Sequence, residues 1–317
     1  MIEYAAANKG GNLGVERDAK DAMIVSAAEG GLGNRIKSWV SAMRLCADAQ
    51  VYWTVNDNMP ASFSQLFAND CGVDSMPSEA VVHKFWRLPV LPEDEAHLPA
   101  GFTAIGAGPH PIFRGIGKIW WNLSGRRSDR YRYMIFPQYH SDTGLRSDAR
   151  HIDLEYERIP EHFREIYVPL FRKIIVRPEI VQRVNEWADR NLDESIIGVQ
   201  VRSWRDNVRR HRKYYKPSLK RLSRLMRGAG PNERFLVVSD HDDIVLSLQK
   251  EYGNSRVLHF PRETSRLVSW QSADAMIEDL MEMLFLSRTH RLFASYLSTF
   301  SETAWWLGGA TARVWVY

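Results

Sequence analysis

The sequence has few cysteines, no long apolar run and no internal repeat, and these features rule out several classes of protein. Cys46 and Cys71 are the two cysteines in 317 residues, too few for a disulfide framework or a cysteine-rich zinc site. No stretch reaches the roughly 18 apolar residues of a transmembrane helix, and the N-terminus lacks a basic-then-apolar leader. These absences favour a soluble protein of a reducing compartment, and we expect a cytoplasmic location.

The amino-acid composition is typical of a large globular protein. Hydrophobic residues make up 44% of the chain and charged residues 25%, which argues against extensive disorder. At about 100–200 residues per domain, 317 residues favour two domains. Residues 1–20 are polar and without period, so we expect a loose N-terminal tail. The net charge of +4 suits an anionic ligand, a nucleic acid or a membrane surface and does not choose among them.

A glycine-rich turn follows the first short apolar run. The pattern predicts a strand over Met23–Ser26, a turn over Gly30–Asn34, a helix over Arg35–Gln50 and a strand over Val51–Val55. A glycine-rich turn that leads into a helix presents backbone N–H groups and the positive end of the helix dipole to an anion. A phosphate site is therefore one interpretation, and an ordinary tight turn is the alternative.

The middle of the chain has weaker patterns. Val81–Leu88 and Tyr131–Phe136 are candidate strands, and the Gly- and Pro-rich segment Gly101–Gly117 is a candidate loop. Helical spacing returns over Pro160–Ile174 and Pro178–Asn191, and Pro178 suits a first helical turn.

The C-terminal half alternates regularly between short apolar strands and helices. The predicted strands are Ile196–Arg202, Arg234–Ser239, Val257–Phe260, Leu292–Ser295 and Val314–Val316. The predicted helices are Pro217–Met226, a helix that ends at Tyr252, Ala273–Ser287 and Ser298–Leu307. This alternation is typical of an α/β fold with a parallel sheet. We therefore predict two Rossmann-like domains, residues 21–190 and residues 191–317.

Polar residues follow three of the predicted C-terminal strands. Arg202 follows the first and Asp240 the second, while the fourth leads to a hydroxyl-rich helix start that contains Ser298, Thr299 and Ser301. Ligands of such sheets bind at the carboxyl ends of the strands, and this set suits a nucleoside diphosphate. Each residue also has a structural alternative: Arg202 as an ion-pair partner, and Asp240 and Ser298 as helix caps.

Three C-terminal segments and one N-terminal turn resemble motifs of the GDP-fucose fucosyltransferase superfamily, which contains α-1,6-, α-1,2- and protein O-fucosyltransferases. Ile197–Arg202 resembles the start of its Ile-Gly-Val-His-(Val/Ile)-Arg-Arg-x-Asp motif, and Val237–Asp240 resembles its Ala-Thr-Asp segment. Asp279–Ser287 followed by Leu292–Phe300 resembles its helix and Ser-Phe segment, in the same order and spacing. Gly30–Arg35 resembles the Gly-x-x-Gly-Asn-(Gln/Arg) turn of several branches. The resemblance covers about the last 120 residues and, before them, essentially one turn.

The resemblance implies a GT-B fold, two Rossmann-like domains facing across a cleft, and an inverting enzyme without a metal or other cofactor. Arg202 would hold the β-phosphate and offset the charge of the departing GDP. Asp240 would recognise guanine, and Gln200 would contact the ribose. The remaining donor contacts that the resemblance implies come from the two helix starts: Gly31, Gly33, Asn34, Ser298, Thr299, Phe300 and Ser301.

The sequence departs from the family pattern at three positions. Gln200 stands in place of the usual His, Ser203 replaces the second Arg, and Arg205 occupies the position of the motif's Asp. An inverting transfer usually needs a carboxylate or a His that accepts the acceptor's proton, and the alternative is an enzyme without a conventional base, as in some protein O-fucosyltransferases. The candidates, in our order, are Asp206, Glu29 and His211, and an ion pair between Asp206 and a nearby arginine is the alternative for that residue. We take Arg202, Asp206 and Asn34 as the catalytic candidates.

A basic and aromatic segment extends from Arg202 to Lys216. Such a mixture suits nucleic acid, a solvated loop, or a mobile lid over a diphosphate. We favour the lid, because the segment begins at Arg202, and we expect no nucleic acid as a partner. Lys118–Trp121 and Arg126–Arg132 offer a peripheral contact with an anionic membrane face or with acceptor sugars, although a core role for the tryptophans is the interpretation that we favour.

The function expected from these patterns is transfer of L-fucose from GDP-fucose to a hydroxyl of a glycan. A bacterial surface polysaccharide or oligosaccharide is the expected acceptor, and the GDP-sugar and the glycan are the expected partners. The first alternative keeps the fold and changes the donor sugar, or takes a protein Ser/Thr hydroxyl as acceptor. The second alternative is a protein without catalytic activity that binds nucleotides or nucleic acid through the basic segment.

Overall fold

The computed structural model describes part of the chain, and the chain divides into two compact units. The described residues are 24–26, 31–45, 50–54, 60–73, 81–83, 88–90, 103–104, 132–135, 138–139, 146–147, 150–152, 159, 161–266, 272–295 and 298–317. The first unit is Met1–Asn56 with Asp70–Leu170, and the second is Asp57–Asn69 with Phe171–Tyr317.

The first unit opens with a small parallel sheet. In chain order the elements are β1 (Ile24–Ser26), α1 (Leu32–Leu45), β2 (Val51–Thr54), α2 (Phe63–Leu66, which belongs to the second unit), β3 (Gly72–Val73) and β4 (Val81–His83). The strand order is β3-β2-β1-β4, with parallel pairing throughout. The Trp39 ring of α1 packs edge-on against Trp53 of β2, with 5.4 Å between ring centroids. The predicted order strand, helix, strand is confirmed, and the helix begins three residues before Arg35.

The remaining strands of the first unit form a mixed sheet and a two-stranded pair. They are β5 (Leu88–Val90), β6 (Thr103–Ala104), β7 (Arg132–Ile135), β8 (Gln138–Tyr139), β9 (Arg146–Ser147) and β10 (Arg150–Ile152). The order is β5-β10-β7-β6, and β8 pairs with β9. The strand predicted over Tyr131–Phe136 is confirmed as β7. The single strand predicted over Val81–Leu88 is wrong, because β4 and β5 belong to different sheets, and the predicted loop Gly101–Gly117 contains β6. Helix α3 (Glu161–Arg172) follows.

The second unit is built on a five-stranded parallel sheet. Its strands are β11 (Ile196–Val201), β12 (Arg234–Ser239), β13 (Val257–Leu258), β14 (Arg291–Ala294) and β15 (Arg313–Val316), in the order β13-β12-β11-β14-β15. The helices are α4 (Pro178–Asn191), α5 (Val208–Arg210), α6 (Lys216–Gly228), α7 (Asp242–Tyr252), α8 (Ala273–Ser287) and α9 (Thr299–Leu307). The π-helical turn His211–Tyr215 joins α5 to α6. The predicted alternation of strands and helices is confirmed.

The central strand β11 packs differently on its two faces. Ile197, Val199 and Val201 point into an apolar core shared with α6 and α7. On the other face a Cβ at Gly198 would lie 2.7 Å from Thr289 Oγ1, just after α8. Glycine is therefore required by close packing. Because β12 and β14 flank β11 on opposite sides, the strand order reverses here, and ligands of α/β sheets bind at such a switch point.

Helix α4 belongs to the second unit. The Trp187 ring of α4 lies 4.5 Å from Phe285 of α8 and 5.9 Å from Phe260 between ring centroids. The Asn69 side chain is part of the same unit, where it donates to the Lys173 carbonyl and accepts from the Ile175 N–H, both at 2.7 Å. The two compact units therefore have other bounds than the predicted division at residue 190.

Candidate functional site

Three loops meet at the carboxyl edge of the C-terminal sheet. The Arg202 N–H, after β11, donates to Ser295 Oγ, after β14, at 2.8 Å. The Arg202 side chain reaches the loop after β12, where Nη1 donates to Asp240 Oδ2 at 3.1 Å. The predicted meeting of these loops is therefore observed.

The Arg202 guanidinium lies between two carboxylates. Nη2 donates to Asp206 Oδ2 at 3.2 Å, while Nη1 contacts Asp240. The Arg202 side chain is 31% exposed, Asp240 17% and Asp206 66%. The ion-pair alternatives for Arg202 and Asp206 are thus observed. The cap alternative for Asp240 is wrong, because His241 is the N-cap residue of α7.

The Asp240 carboxylate holds the loop after β11 through hydrogen bonds to Ser203. Its Oδ1 accepts from the Ser203 N–H at 2.9 Å, and its Oδ2 accepts from Ser203 Oγ at 2.9 Å. Recognition of guanine by Asp240 stays a prediction, and in this structure its oxygens accept from Ser203 and Arg202. Ser203 stands where the family motif has its second Arg. It is buried, and its N–H and hydroxyl both donate to Asp240.

The segment after Ser203 is strained and then helical. Trp204 has φ +57°, which is uncommon for a residue with a side chain. The guanidinium carbons of Arg202 and Arg210 lie 5.1 and 5.0 Å from the Trp204 ring centroid. His211 Nδ1 lies 2.7 Å from the Ser203 carbonyl oxygen, and since a carbonyl only accepts, Nδ1 donates. The predicted loop over 202–216 is therefore helical from Val208 onward.

A buried group of polar atoms lies beneath Arg202. The Tyr317 hydroxyl donates to the Gln200 carbonyl at 2.7 Å, and Ser295 Oγ lies 2.9 Å from the same oxygen. Burial raises the pKa of the Tyr317 phenol, so it stays protonated. Gln200 is 4% exposed, and its Oε1 has no hydrogen-bond partner within the described part of the chain. No pattern in the sequence pointed to Tyr317.

The start of α9 is capped by its own hydroxyl groups. Ser298 Oγ accepts from the Ser301 N–H at 3.4 Å, so the cap alternative for Ser298 is observed. Ser301 is buried, and its Oγ donates to the Ser298 carbonyl at 3.1 Å. Thr299 and Phe300 are half-buried. A diphosphate at this end would meet the backbone and Thr299 more readily than Ser301.

The glycine-rich segment of the first unit enters its helix early. Gly31 precedes α1, and the Arg35 N–H donates to the Gly31 carbonyl at 3.1 Å. Gly33 is buried and Asn34 half-buried, and both lie in the first turn of α1 rather than in the predicted turn before it. Gly30 and the candidate base Glu29 lie outside the described residues.

A buried ion cluster on α8 was missed from the sequence. We define the α8 cluster as Arg262 and Arg266 with Glu278, Asp279 and Glu282. Arg262 Nη1 lies 2.6 Å from Asp279 Oδ1 and 2.9 Å from Glu282 Oε2, and Arg266 contacts Glu282 and Asp242 of α7. The available signal was the presence of acids at helical spacing inside an otherwise apolar helix.

Two further kinds of site are absent from the described residues. No group of three or more His, Cys, Asp or Glu side chains among them is arranged to hold a metal ion. None of the described helices combines the length and the apolar character needed to cross a bilayer.

Comparison with known proteins shows similarity at the level of structure. No family model matches the chain. No curated protein matches it. The fucosyltransferase NodZ from Bradyrhizobium is 18% identical over an alignment that covers 90% of this chain and 92% of that chain, with a TM-score of 0.45. A mutant of Arabidopsis thaliana FUT1 in complex with GDP is 15% identical over an alignment that covers 95% of this chain and 71% of that chain, with a TM-score of 0.47. Apo POFUT1 matches with 10% identity, 96% and 99% coverage and a TM-score of 0.48. The chain is thus similar in structure to three fucosyltransferases, at an identity that assigns no activity.

Proposed function

We propose that this protein is a glycosyltransferase that transfers L-fucose from GDP-β-L-fucose to a hydroxyl of a glycan. The proposal includes a GT-B fold and inversion at the anomeric carbon. One observation carries it: the guanidinium of Arg202 is fixed at the switch point of a parallel sheet, where α/β proteins bind nucleotides. The motif resemblance of Ile197–Arg202 supports the same assignment.

Arg202 keeps the capacity to bind a diphosphate. Asp240 and Asp206 each accept one hydrogen bond, from Nη1 and Nη2 respectively. A guanidinium has five N–H donors, so these two carboxylates leave donors for phosphate oxygens. Asp240 holds the side chain in place, so little conformational entropy is lost when phosphate binds. As the bond from the sugar to the β-phosphate breaks, negative charge grows on the departing GDP. A fixed cation at that position stabilises the transition state more than the ground state.

Other residues complete the proposed reaction. The N-terminus of α9, with Ser298, Thr299 and Phe300, would hold phosphate oxygens, and Gln200 Oε1 would accept from a ribose hydroxyl. Gly31, Gly33 and Asn34 of the N-terminal turn would contact the donor from the first unit. Asp206 is the first candidate base, although its ion pair with Arg202 competes with that role. His211 Nε2 and Glu29 are the other candidates.

The finer points of the proposal come from the sequence. We propose that the reaction needs no metal ion, takes place in the cytoplasm, and uses a bacterial surface polysaccharide or oligosaccharide as acceptor, with a peripheral contact to the membrane. Because Gln200, Ser203 and Arg205 depart from the family motif, a different GDP-linked sugar is the variant of the proposal to test first.

The test is a calorimetric titration of the protein with GDP, GDP-fucose, GDP-mannose and UDP in the presence of EDTA. We expect micromolar binding of the GDP compounds, no binding of UDP, and preference for GDP-fucose over GDP-mannose. Arg202→Ala should weaken GDP binding by about 100-fold, the value of a lost charge-assisted contact of ~3 kcal/mol. Arg209→Ala, an exposed arginine of the same segment, should change it less than about twofold.

Two results would contradict the proposal. Absence of GDP binding would exclude the fucosyltransferase assignment and the use of any GDP-sugar. Equal loss in Arg202→Ala and Arg209→Ala would show that overall positive charge, rather than a fixed phosphate contact, binds the nucleotide. A preference for GDP-mannose would retain the enzyme class and replace the sugar.

A further inference from the structure

A groove on one face of the C-terminal sheet begins beside the carboxyl edge that carries Arg202 and extends away from it. It runs between α6 and α7 and has a volume of about 420 Å³. Its base is closed by the buried side chains of Leu222, Ile244 and Leu248, and the half-buried Leu219 is the apolar side chain that its surface offers. Its walls carry hydroxyl and charged groups from both helices. The groove therefore combines an apolar base with polar sides, the surface that suits a sugar ring.

Ion pairs cross the groove at its two ends. Arg205, in the loop after β11, binds Asp243 of α7 at 2.6 Å, at the end next to Arg202. Arg227 of α6 binds Glu251 of α7 at 3.3 Å, at the far end. Lys220 lies between these two pairs, and it forms no ion pair with any described residue. One cation in the groove is therefore available for an anion.

The surrounding surface is strongly basic. Residues 202–228 contain 11 Lys and Arg against one Asp, a net charge of +10 in a chain whose total is +4. The rest of the chain is therefore net negative, and the positive charge is concentrated along one stretch. On α6 the residues Lys216, Lys220, Arg221 and Arg224 are all exposed. At about 1.5 Å rise per residue, Lys216 and Arg224 are ~12 Å apart along the helix axis.

We propose that the groove between α6 and α7 is a binding site for an acidic oligosaccharide. Lys220 would bind a carboxylate or sulfate of the sugar in the groove, and the carboxylates of Asp243 and Glu251 would accept its hydroxyl groups. The half-buried Leu219 would contact the apolar face of the ring. The exposed cations of α6 would bind the charges of the neighbouring sugars. This site goes beyond the proposed fucosyl transfer and does not require it.

The geometry favours an acidic sugar chain over other polyanions. The guanidinium carbons of Arg202 and Arg210 lie 5.1 and 5.0 Å from the Trp204 ring centroid, so nucleic-acid bases would compete with two cations for stacking on this ring. Leu222 and Met226 of α6 are buried against the sheet, so the helix has no apolar face to insert into a bilayer. A concave groove with Ser223 and Ser247 on its walls also suits a ring with hydroxyl groups better than a flat surface.

The test measures binding of four anionic probes and one neutral control, chitohexaose, to the full chain by calorimetry and vesicle sedimentation at 150 mM salt. The probes are hexagalacturonate, a sulfated heparin hexasaccharide, a single-stranded dT12 oligonucleotide, and vesicles with 30% anionic lipid. We expect micromolar affinity for at least one acidic hexasaccharide and none for neutral chitohexaose. The carboxylated and sulfated probes distinguish the two sources of anionic charge.

Variants locate the site. Lys220→Gln should weaken binding of the acidic hexasaccharide by about tenfold, equal to ~1.4 kcal/mol. Lys250→Gln, an exposed lysine of α7 that does not line the groove, should change it less than about twofold. Binding of neither hexasaccharide would overturn the proposal. So would equal sensitivity to the two variants, or tighter binding of dT12 or vesicles with the same dependence on Lys220. Because Lys220→Gln should leave GDP binding unchanged, failure here is separable from failure of the proposed function.

Discussion

Two clusters of arginine and carboxylate follow strands of the same sheet, and they differ in burial. The edge cluster consists of Arg202, Asp206 and Asp240. Its guanidinium is 31% exposed. In the α8 cluster, by contrast, the side chains of Arg262 and Glu282 are both 2% exposed. The same chemical groups are therefore open to a ligand in one place and closed in the other.

The difference in burial suits the edge cluster to the proposed binding role and the α8 cluster to a structural one. In the α8 cluster the Glu278 carboxylate also accepts from the Glu263 and Thr264 N–H groups, at 2.8 and 3.1 Å. Burial raises the pKa of the Glu282 carboxyl, and the adjacent Arg266 and Arg262 guanidiniums act in the opposite direction. Removing one partner from a buried ion set leaves an uncompensated charge and is strongly destabilising. The edge cluster is under no such constraint, because water or phosphate can complete it.

The largest effect is expected from breaking the α8 cluster. Arg262→Met leaves Glu282 and Asp279 short of a partner and should lower the free energy of unfolding by about 3–5 kcal/mol. Urea denaturation followed by tryptophan fluorescence measures it. The control Arg190→Met, on the exposed face of α4, should stay within ~0.5 kcal/mol. Equal urea midpoints for the two variants would remove the distinction between the clusters.

A smaller effect on stability is expected at the edge, with a larger one on binding. Asp240→Asn keeps the shape but removes the charge that holds Arg202, and it should cost about 1–2 kcal/mol of stability. GDP affinity should fall by about tenfold, because the guanidinium is no longer fixed. Asp206 forms the other, more exposed ion pair of Arg202, and Asp206→Asn should cost less than ~1 kcal/mol of stability. If Asp240→Asn instead leaves GDP binding unchanged, Asp240 does not position Arg202.

The pH dependence of stability reports on the surroundings of the α8 cluster. Burial, followed by the nearby Arg266, lowers the pKa of His259 below its ordinary value of 6.5. The unfolded chain therefore binds a proton at His259 more readily than the folded chain does. The stability that neutral His259 contributes is complete above about pH 6.5 and is lost as the pH falls through the folded-state pKa. The melting temperature should drop by a few degrees between pH 7.5 and 5.5, and less in His259→Gln. His290→Gln, which alters an exposed histidine, should retain the wild-type pH dependence.

The smallest effect is expected at the exposed pair of Arg205 and Asp243. The hydrogen bond from Arg205 lowers the pKa of the Asp243 carboxyl, so any contribution is present above pH 3.8 and is lost on acidification through the folded pKa. Because both side chains are more than a third exposed, Asp243→Asn should cost less than about 0.5 kcal/mol at neutral pH. A loss above ~2 kcal/mol would mean that exposure does not explain the difference between the clusters.

Local patterns in the sequence were sufficient for most of the C-terminal fold. The predicted bounds of α4, α8 and β12 coincide with the observed ones. Pro178 lies in the first turn of α4, and Ser298 caps α9, which was the structural alternative for that residue. These features depend on side chains within a few residues of each other, which the sequence places together. The split of Val81–Leu88 into two sheets was missed, because pairing partners far along the chain decide it.

The residues of the candidate site were predicted better than their contacts. Arg202, Asp240 and Ser298 were placed at one edge by strand order, and the structure shows Arg202 and Asp240 in contact. The partners of the Asp240 carboxylate were not predictable, because Ser203 is 37 residues away along the chain. Nor was the helical course of the segment after Asn207, whose side chain accepts from the Arg210 N–H and caps α5.

The α/β class, the alternation of elements and the loop in which Arg202 lies all follow from the sequence, because hydrophobic period and capping act over short distances. Which carboxylates hold that arginine, and which close around Arg262, depends on the folded chain. So do the strained backbone of Trp204 and the burial of Tyr317. The reason is that the energy of a charge depends on its exposure to water and on partners that folding brings from distant positions.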